Sequence, residues 1–332
     1  MKLLVTGGAG YIGSIVSRLL IERGHEVVVL DNLERGHRAA LAPGVELIVA
    51  DLRDPASLEQ AFTSNSFDGV MHFAALSLVG ESVQQPGLYW ENNVTGTLNL
   101  LNAMVANQVS HLVFSSTAAT YGLPQEIPIT EQAVTKPINP YGSSKLAVDM
   151  MITDFCAAHS LAAASLRYFN VAGAHDHVGE DHEPETHLIP NVLRVPLGKR
   201  EHVQVFGTDY PTADGTAVRD YIHIDDLADA HVLALEGAKP GTHEIYNLGT
   251  GGGFSVREVI AAVEQVTGIP VPTVESPRRP GDPPQLVASS AKIQAQLGWQ
   301  PRKADIKQMI ADAWAFHQAH PDGYGDQVGP VA

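Results

Sequence analysis

The sequence has almost no cysteine and no long apolar run. Cys156 is the only cysteine among 332 residues, which excludes an intrachain disulfide and therefore a disulfide-stabilised secreted scaffold. No stretch reaches the roughly 18 consecutive apolar residues of a membrane span. Met1 and Lys2 lead directly into an apolar run that is too short for a signal sequence. We therefore expect a cytoplasmic protein without a membrane partner.

Positive charge is also scarce. Lys and Arg number 21 against 37 Asp and Glu, and the formal net charge at pH 7 is −16. Nucleic-acid binding depends on clustered basic side chains that displace counterions from phosphates. A nucleic-acid partner is therefore not expected, and any bound phosphate must be held by a local site.

Apolar runs typical of buried strands alternate with segments of helical period over the first half of the chain. The predicted strands are 2–6, 27–30, 45–50, 69–73, 111–115 and 163–169, and helical segments include 11–22, 98–105 and 146–158. This alternation predicts an α/β fold, a doubly wound parallel sheet of the Rossmann type.

The composition changes near residue 174, where Pro, His, Gly and acidic residues become frequent. We predict a dinucleotide-binding domain over 1–173, completed by segments near 219–250. Residues 174–332 then form a smaller α/β capping domain for the substrate.

A glycine-rich turn follows the first predicted strand. Gly7, Gly8, Gly10 and Gly13 fit the spacing that lets backbone amides and a helix N-terminus approach a pyrophosphate. Asp31 ends the next strand, where a carboxylate binds a ribose 2′-hydroxyl and repels a 2′-phosphate. The pattern predicts NAD rather than NADP; the alternative is a plain strand–helix turn with Asp31 as a helix cap.

Tyr141 and Lys145 are four residues apart, on one face of a predicted helix. A nearby ammonium and a cationic nicotinamide would lower the pKa of the phenol and make it a base for a sugar hydroxyl. Thr117 follows a predicted strand whose carboxyl end faces the ligand crevice, so it can bind the same hydroxyl. On its own, the pair is also compatible with an ordinary surface contact.

Together these segments resemble the extended short-chain dehydrogenase/reductase family, and within it the enzymes that epimerise UDP-hexoses at C4. The glycine turn and the Tyr-Lys pair mark the family, and the segments of the capping domain select the epimerases. The resemblance rests on 7–14, 31–33, 73–75, 79–83, 92–97, 114–122, 139–145, 166–170, 179–181, 206–210, 219–223 and 278–282.

The resemblance implies reversible 4-epimerisation of UDP-glucose and UDP-galactose through a transient 4-keto sugar, with tightly bound NAD. Tyr141 would be the acid and base, Lys145 its partner and a ribose ligand, and Thr117 a second contact to the sugar hydroxyl. The implied NAD contacts are Gly7, Gly10, Tyr11, Ile12, Gly13, Asp31, Asn32, Asp51, Leu52, Phe73, Ala74, Ala75, Ser77, Asn93, Lys145 and Phe169. The implied contacts to the UDP-sugar are Thr117, Tyr141, Asn170, His187, Leu188, Gln204, Val205, Phe206, Arg219, Arg279 and Asp282.

Two positions depart from the family pattern. Ser77 stands where many members have a lysine, which predicts weaker retention of NAD. Leu286 stands where some members have a bulkier tyrosine, which predicts a pocket that also admits UDP-N-acetylglucosamine and UDP-N-acetylgalactosamine.

Other functions remain open at this point. A nucleotide-sugar dehydratase or a decarboxylase is disfavoured because Ala118 and Ala119, rather than acidic residues, follow Thr117. Epimerisation of a UDP-uronic acid or a UDP-pentose is not excluded. A catalytically silent NAD sensor on the same fold is a further alternative.

Two further features bear on metals and partners. The histidines at 175, 177, 182 and 187 lie among acidic residues, but their spacing fits no tetrahedral motif, so we predict no metal and a solvated loop over the nucleotide. The helix around 146–156 is apolar on more than one side, and related proteins dimerise through it and through 88–105. We therefore predict a homodimer.

Overall fold

The computed structural model describes residues 1–279 and 282–325. Pro280 and Gly281 of the 278–282 motif, and segment 326–332 of the predicted capping domain, lie outside the described residues. Within the described residues no helix is long and apolar enough to cross a membrane.

The strands and helices follow one another in the predicted alternation. The strands are β1 (Lys2–Thr6), β2 (Glu26–Asp31), β3 (Glu46–Val49), β4 (Gly69–His72), β5 (His111–Thr117), β6 (Ala162–Tyr168), β7 (Asn170–Ala172), β8 (Ala174–His175), β9 (Val178–Gly179), β10 (Val203–Phe206), β11 (Val218–Arg219), β12 (Tyr221–His223), β13 (His243–Leu248), β14 (Phe254–Ser255), β15 (Thr273–Ser276) and β16 (Gln285–Leu286). The α-helices are α1 (Tyr11–Glu22), α2 (Pro55–Ser64), α3 (Val79–Gln84), α4 (Pro86–Tyr89), α5 (Gly96–Ala106), α6 (Pro140–His159), α7 (Leu188–Leu193), α8 (Ile224–Gly237), α9 (Val256–Thr267), α10 (Ala291–Leu297) and α11 (Ile306–Ala319). A π-helical stretch, Trp90–Thr95, joins α4 to α5.

Seven parallel strands form the central sheet in the order β13-β6-β5-β4-β1-β2-β3. The winding reverses between β1 and β4, which places the ligand crevice of such a sheet at the carboxyl ends of these two strands. The predicted fold class is therefore confirmed. Strand ends differ from the prediction by one residue at β2, β3, β4 and β6, and β5 extends two residues further than predicted.

Helices cover both faces of the sheet. Successive side chains of each strand point to opposite faces and so enter two different cores. Leu3 and Val5 of β1 pack in one core with α1 and α8, whereas Leu4 packs in a second core with α2, α5 and α6. This three-layer arrangement fixes the carboxyl ends of the strands as a rigid platform for the site.

A third core lies in the smaller lobe, between α7, α9, α11 and the strands β10 and β12. Val205, Val259, Met309 and Ile310 are buried there. β13 and α8, which lie within the segment 219–250, pack on the central sheet. The predicted domain bounds remain a prediction.

Candidate active site

The glycine turn connects β1 to α1 with no space for side chains. Gly7 has φ +71°, and a Cβ on it would lie 2.4 Å from the backbone N of Ala74. A Cβ on Gly13 would lie 2.3 Å from the carbonyl oxygen of Gly7. α1 begins at Tyr11, and its N-cap, Gly10, provides no side-chain cap, so the first amides of the helix point outward without an intrahelical partner. This turn fits a pyrophosphate.

Asp31 lies beside this turn, at the end of β2. Its carboxylate is nearly buried and accepts hydrogen bonds from the amides of Ala9, at 3.0 Å, and Leu33, at 2.8 Å. Burial raises the pKa of Asp31, and the two backbone hydrogen bonds partly oppose this effect. The fixed carboxylate fits a ribose hydroxyl and disfavours a 2′-phosphate.

Several side chains predicted to contact NAD are bonded to, or packed against, other residues of the protein. Asp51 accepts two hydrogen bonds from Arg53, at 2.6 and 2.9 Å, and one from Asn32 at 2.9 Å. The Arg53 guanidinium lowers the pKa of Asp51 to about 2. Leu52 belongs to the second core, and the Tyr11 hydroxyl donates to the carbonyl of Gly173 at 2.7 Å.

Asn93 connects the loop after β4 to α6. Its amide bonds both backbone groups of Leu76, at 2.8 and 3.0 Å, and its Nδ2 donates to the hydroxyl of Ser144 at 3.0 Å. The side chain predicted to contact NAD is therefore fully used in joining the β4 loop to α6. Ser77, beside Leu76, is exposed.

Two of the other residues predicted to contact NAD, Phe73 and Ala74, pack against residues of the protein. The ring of Phe73 packs on His231 with centroids 4.9 Å apart, and Ala74 closes over Gly7. Half-buried positions are Ile12, Ala75 and Phe169.

Thr117 and Tyr141 contact each other where β5 ends and α6 begins, and Lys145 lies one turn further along α6 against the end of β5. Asn139 caps α6 by accepting from the amide of Gly142 at 2.8 Å, and Pro140 starts the helix, which places Tyr141 in its first turn. The Thr117 hydroxyl bonds the Tyr141 phenol. The buried Lys145 ammonium donates to the carbonyl of Ser115 at 2.8 Å.

Among the effects of the chain's own atoms, burial dominates the pKa values of Tyr141 and Lys145. Burial raises the pKa of Tyr141, and the hydrogen bond from Thr117 only partly lowers it. Burial also lowers the pKa of Lys145 to about 7, against the opposing charge of Asp149. The lowered phenol pKa predicted from the sequence is therefore not produced by the chain's own groups, because desolvation outweighs them.

The sequence reasoning missed the carboxylate that supports Lys145. Asp149 is one further turn along α6, accepts from Nε and Nη2 of Arg167 at 3.0 and 2.8 Å, and is buried with it. Arg167 also donates to the hydroxyl of Tyr121. The spacing 141, 145, 149 places all three α6 side chains on one helix face, and this was the available signal.

Two arginines predicted for the diphosphate lie in different settings. Arg219 is largely buried and forms an ion pair with Asp282. The charges of these two side chains, both predicted to contact the UDP-sugar, therefore neutralise each other. The Arg279 guanidinium stacks on Phe206 at 4.2 Å from the ring centroid, and it has no carboxylate partner among residues 1–279 and 282–325. The amide of Asn170 donates to the carbonyl of Asp220 at 2.9 Å.

Strand alternation separates the other predicted substrate contacts. In β10, Gln204 is exposed, whereas the side chain of Val205 is buried in the third core. Only the backbone of Val205 can therefore face a ligand. Leu188 packs against the same core, and Leu286 pairs with Arg219.

The histidine-rich segment is not the solvated loop that was predicted. Glu180 is only 7% exposed and the side chain of Glu185 only 3%. Nδ1 of His187 lies 2.8 Å from a carboxylate oxygen of each, so this imidazole faces the glutamates. Glu180, its strongest neighbour, raises the pKa of His187 to about 11. His175 instead bonds Asp225 at 2.8 Å.

The chain is similar to known epimerases over nearly its whole length. Residues 3–249 match the NAD dependent epimerase/dehydratase family. A UDP-glucose 4-epimerase of Streptomyces lividans is 55% identical over 327 residues, covering 98% of this chain and 99% of that protein. A crystal structure of a UDP-glucose 4-epimerase has TM-score 0.95 at 48% identity, covering 98% of this chain and 100% of its own. The enzyme from Bifidobacterium longum, in complex with NAD+ and UDP, has TM-score 0.92 at 40% identity, covering 97% and 100%.

Proposed function

The chain belongs to the NAD dependent epimerase/dehydratase family, and on that premise we propose that it interconverts UDP-glucose and UDP-galactose by inversion at C4. It is then an isomerase with no net redox change. The observation that carries the proposal is the contact of Thr117 with Tyr141 at the carboxyl end of β5, with Lys145 one turn further along α6 and bonded to Ser115 of the same strand, on the same sheet edge as the glycine turn. The similarity to UDP-glucose 4-epimerases supports the choice of sugar nucleotide.

The chemistry divides between the cofactor and the side chains. The glycine turn and Asp31 would hold NAD, which when bound would supply the hydride acceptor and donor needed to invert C4 without net redox change. Tyr141 takes the proton of the 4-hydroxyl and later gives it back to the C4 oxygen. Thr117 orients that hydroxyl beside the phenol.

Lys145 carries the charge that this proton transfer requires. A phenolate next to an ammonium is stabilised by it, and the ammonium is stabilised in turn. The Ser115 carbonyl holds the ammonium in place at 2.8 Å, and Asp149 favours its charged form. Burial works against both charges, and Thr117 and Asp149 partly offset it at Tyr141 and Lys145 respectively.

The residues after Thr117 disfavour an elimination reaction. Ala118 and Ala119 follow it in a short turn, and neither can move a proton at C5 or C6 of a keto sugar. We therefore rank epimerisation above nucleotide-sugar dehydration. UDP-uronic acids and UDP-pentoses remain alternative substrates for the same residues.

The proposal is tested by incubating the purified protein with UDP-galactose, with and without added NAD, and following UDP-glucose. We expect conversion without net release of NADH. Tyr141→Phe should retain NAD but lose turnover by at least about 100-fold, since it removes the acid and base. Full activity in this variant would refute the assignment of Tyr141.

We further propose that the sugar pocket accepts N-acetylated hexoses, because Leu286 is smaller than tyrosine. UDP-N-acetylglucosamine should be epimerised by the unmodified enzyme, and no product even at excess enzyme would refute this. Exposed Ser77 gives the cofactor diphosphate no lysine contact, so added NAD should stimulate diluted enzyme.

We also propose a cytoplasmic homodimer. Support for the dimer comes from apolar side chains exposed near or on α5 and α6: Trp90 is 43%, Leu98 37% and Met150 63% exposed. Light scattering should give a dimer mass that Met150→Glu lowers and that Ile269→Glu, on an exposed apolar residue outside these helices, leaves unchanged. A monomer mass for the unmodified protein would contradict the proposal. The lone Cys156, buried and unpaired, supports a reducing compartment.

A further inference from the structure

Two glutamates and two histidines converge between β9 and α7. One oxygen or nitrogen from each of Glu180, His182, Glu185 and His187 lies within 4.8 Å of all the others. We propose that these four side chains bind one divalent transition-metal ion, with Zn²⁺ as the best match, and that the ion fastens segment 180–187 in place. We call this group the Glu-His cluster.

The carboxylates of the Glu-His cluster have only imidazoles as ion-pair partners. Both are almost buried, at 7% exposure for Glu180 and 3% for the side chain of Glu185. In the part of the chain that the structure describes, neither forms an ion pair with Lys or Arg, and their ion-pair partners are His182 and His187. A buried carboxylate is costly unless it is paired or coordinates a metal. A doubly charged cation would neutralise both at once.

The hydrogen bonding of His187 makes the same point. Its Nδ1 lies 2.8 Å from Oε1 of Glu180 and 2.8 Å from Oε1 of Glu185. One N–H points along one direction and cannot serve both oxygens with good geometry. A metal ion among these atoms would take a lone pair from each of them.

The spacing of the atoms suits a small tetrahedral ion. Zinc lies about 2.0–2.2 Å from imidazole nitrogen and carboxylate oxygen, so neighbouring ligand atoms in a tetrahedron are about 3.3 Å apart. Nδ1 of His182 is 3.2 Å from Oε1 of Glu180, and the two distances at His187 are 2.8 Å. The four ligand atoms lie within 4.8 Å of one another, so to admit the ion the short distances would open by up to about 0.5 Å and the longest would close by up to about 1.5 Å.

The choice of metal follows from the donor atoms. Two imidazoles with two carboxylates and no thiolate favour a borderline ion such as Zn²⁺ over Ca²⁺ or Mg²⁺, which prefer oxygen alone. Four protein ligands leave no open tetrahedral position, so the site is structural rather than catalytic.

The position of the segment explains what the ion would do. The guanidinium of Arg35 donates to the carbonyl of Glu183 at 2.9 Å, and the amide of Tyr324 donates to Asp181 at 2.9 Å. His187 is also the N-cap residue of α7. An ion in the Glu-His cluster would thus fix the position of segment 180–187, which contacts the loop after β2 and the C-terminal region and leads into α7.

The test uses the full-length protein, stripped with EDTA and then desalted. Zinc affinity is measured by competition with a chromophoric chelator, and bound zinc is counted by mass spectrometry after gel filtration. We expect the wild-type protein to bind one Zn²⁺ per chain. His182→Ala and Glu185→Gln each remove a ligand, so each should weaken binding by more than the roughly 10–100-fold that loss of a supporting partner costs. X-ray absorption should show only nitrogen and oxygen neighbours.

His177→Ala is the matched control, because His177 is an exposed histidine of the same segment outside the cluster; it should bind zinc like the wild type. Circular dichroism and UDP-galactose turnover check that the variants fold. If Glu185→Gln does not fold, His182→Ala decides the outcome, since the His182 side chain is 31% exposed and can be shortened. The proposal is overturned if the wild type retains no zinc, or if both variants bind it as tightly as the wild type.

Discussion

Gly13→Ala is expected to damage cofactor binding through one added methyl group. The new Cβ would lie 2.3 Å from the carbonyl oxygen of Gly7 and 2.8 Å from the Cα of Gly8, both in the backbone of the turn. Neither atom belongs to a side chain that can rotate away, so the turn itself must shift. Overpacking of this kind costs about 1–3 kcal/mol, which corresponds to about a 5- to 150-fold loss of NAD affinity if the strain falls on the bound state.

The assay measures NAD released by acid from protein that has passed through gel filtration, and UDP-galactose turnover as NAD is added back. Gly80→Ala is the matched control, because a Cβ at this position in α3 meets no atom within 4 Å. The control should keep its NAD and melt at the wild-type temperature or slightly above, since alanine favours helix over glycine. Gly13→Ala protein that retains NAD and turnover at wild-type levels would refute the argument that backbone proximity excludes a side chain there.

Other substitutions test the remaining parts of the site. Lys145→Met should lower turnover and also flatten the dependence of stability on pH. Burial lowers the pKa of Lys145 to about 7 in the folded protein, so between that pH and the higher pKa of the unfolded chain, Lys145 is protonated only when the chain is unfolded. The free energy of unfolding therefore rises with pH in the wild type, by up to about 1.4 kcal/mol per pH unit. Urea unfolding at pH 7, 8 and 9 checks this, and equal slopes for both proteins would contradict it. Asp149→Asn leaves Arg167 buried without its carboxylate and should lower the free energy of unfolding by about 3–5 kcal/mol, which thermal and urea unfolding measure; a loss below 1 kcal/mol would contradict it. Leu286→Tyr should reduce epimerisation of UDP-N-acetylglucosamine far more than that of UDP-galactose, and an unchanged ratio of the two kcat/KM values would count against a pocket bounded by this residue.

Much of the fold was predictable because its signals are local. The alternating apolar runs gave the strands of the sheet to within a residue or two, since buried parallel strands need continuous apolar sequence. The path of the chain after residue 174 was less clear. β13 and α8 fall within the segment 219–250 that was expected to complete the first domain, but short strands such as β11 and β16 carry too little pattern to be predicted from the sequence.

The candidate site divides in the same way. Tyr141 and Lys145 share a helix face because of their spacing, and Asp149 could have been added by the same rule. Its partner Arg167 comes from β6 and reaches it only through packing. The effect of burial on the pKa values of Tyr141 and Lys145 could not be predicted for a related reason: desolvation depends on all atoms around the two side chains, and the sequence does not state how deeply they are buried.

By itself, the sequence determined the features that depend on neighbours along the chain. These are the glycine turn, the acid at the end of β2, the helix face that bears the phenol and the amine, and the lack of disulfides and basic patches. Tertiary structure alone decided which distant groups meet: Arg219 with Asp282, Arg167 with Asp149, and the two buried glutamates with His182 and His187. The reason is physical, since backbone period and turn geometry act over a few residues, whereas burial and ion pairing depend on segments that only the folded core brings together.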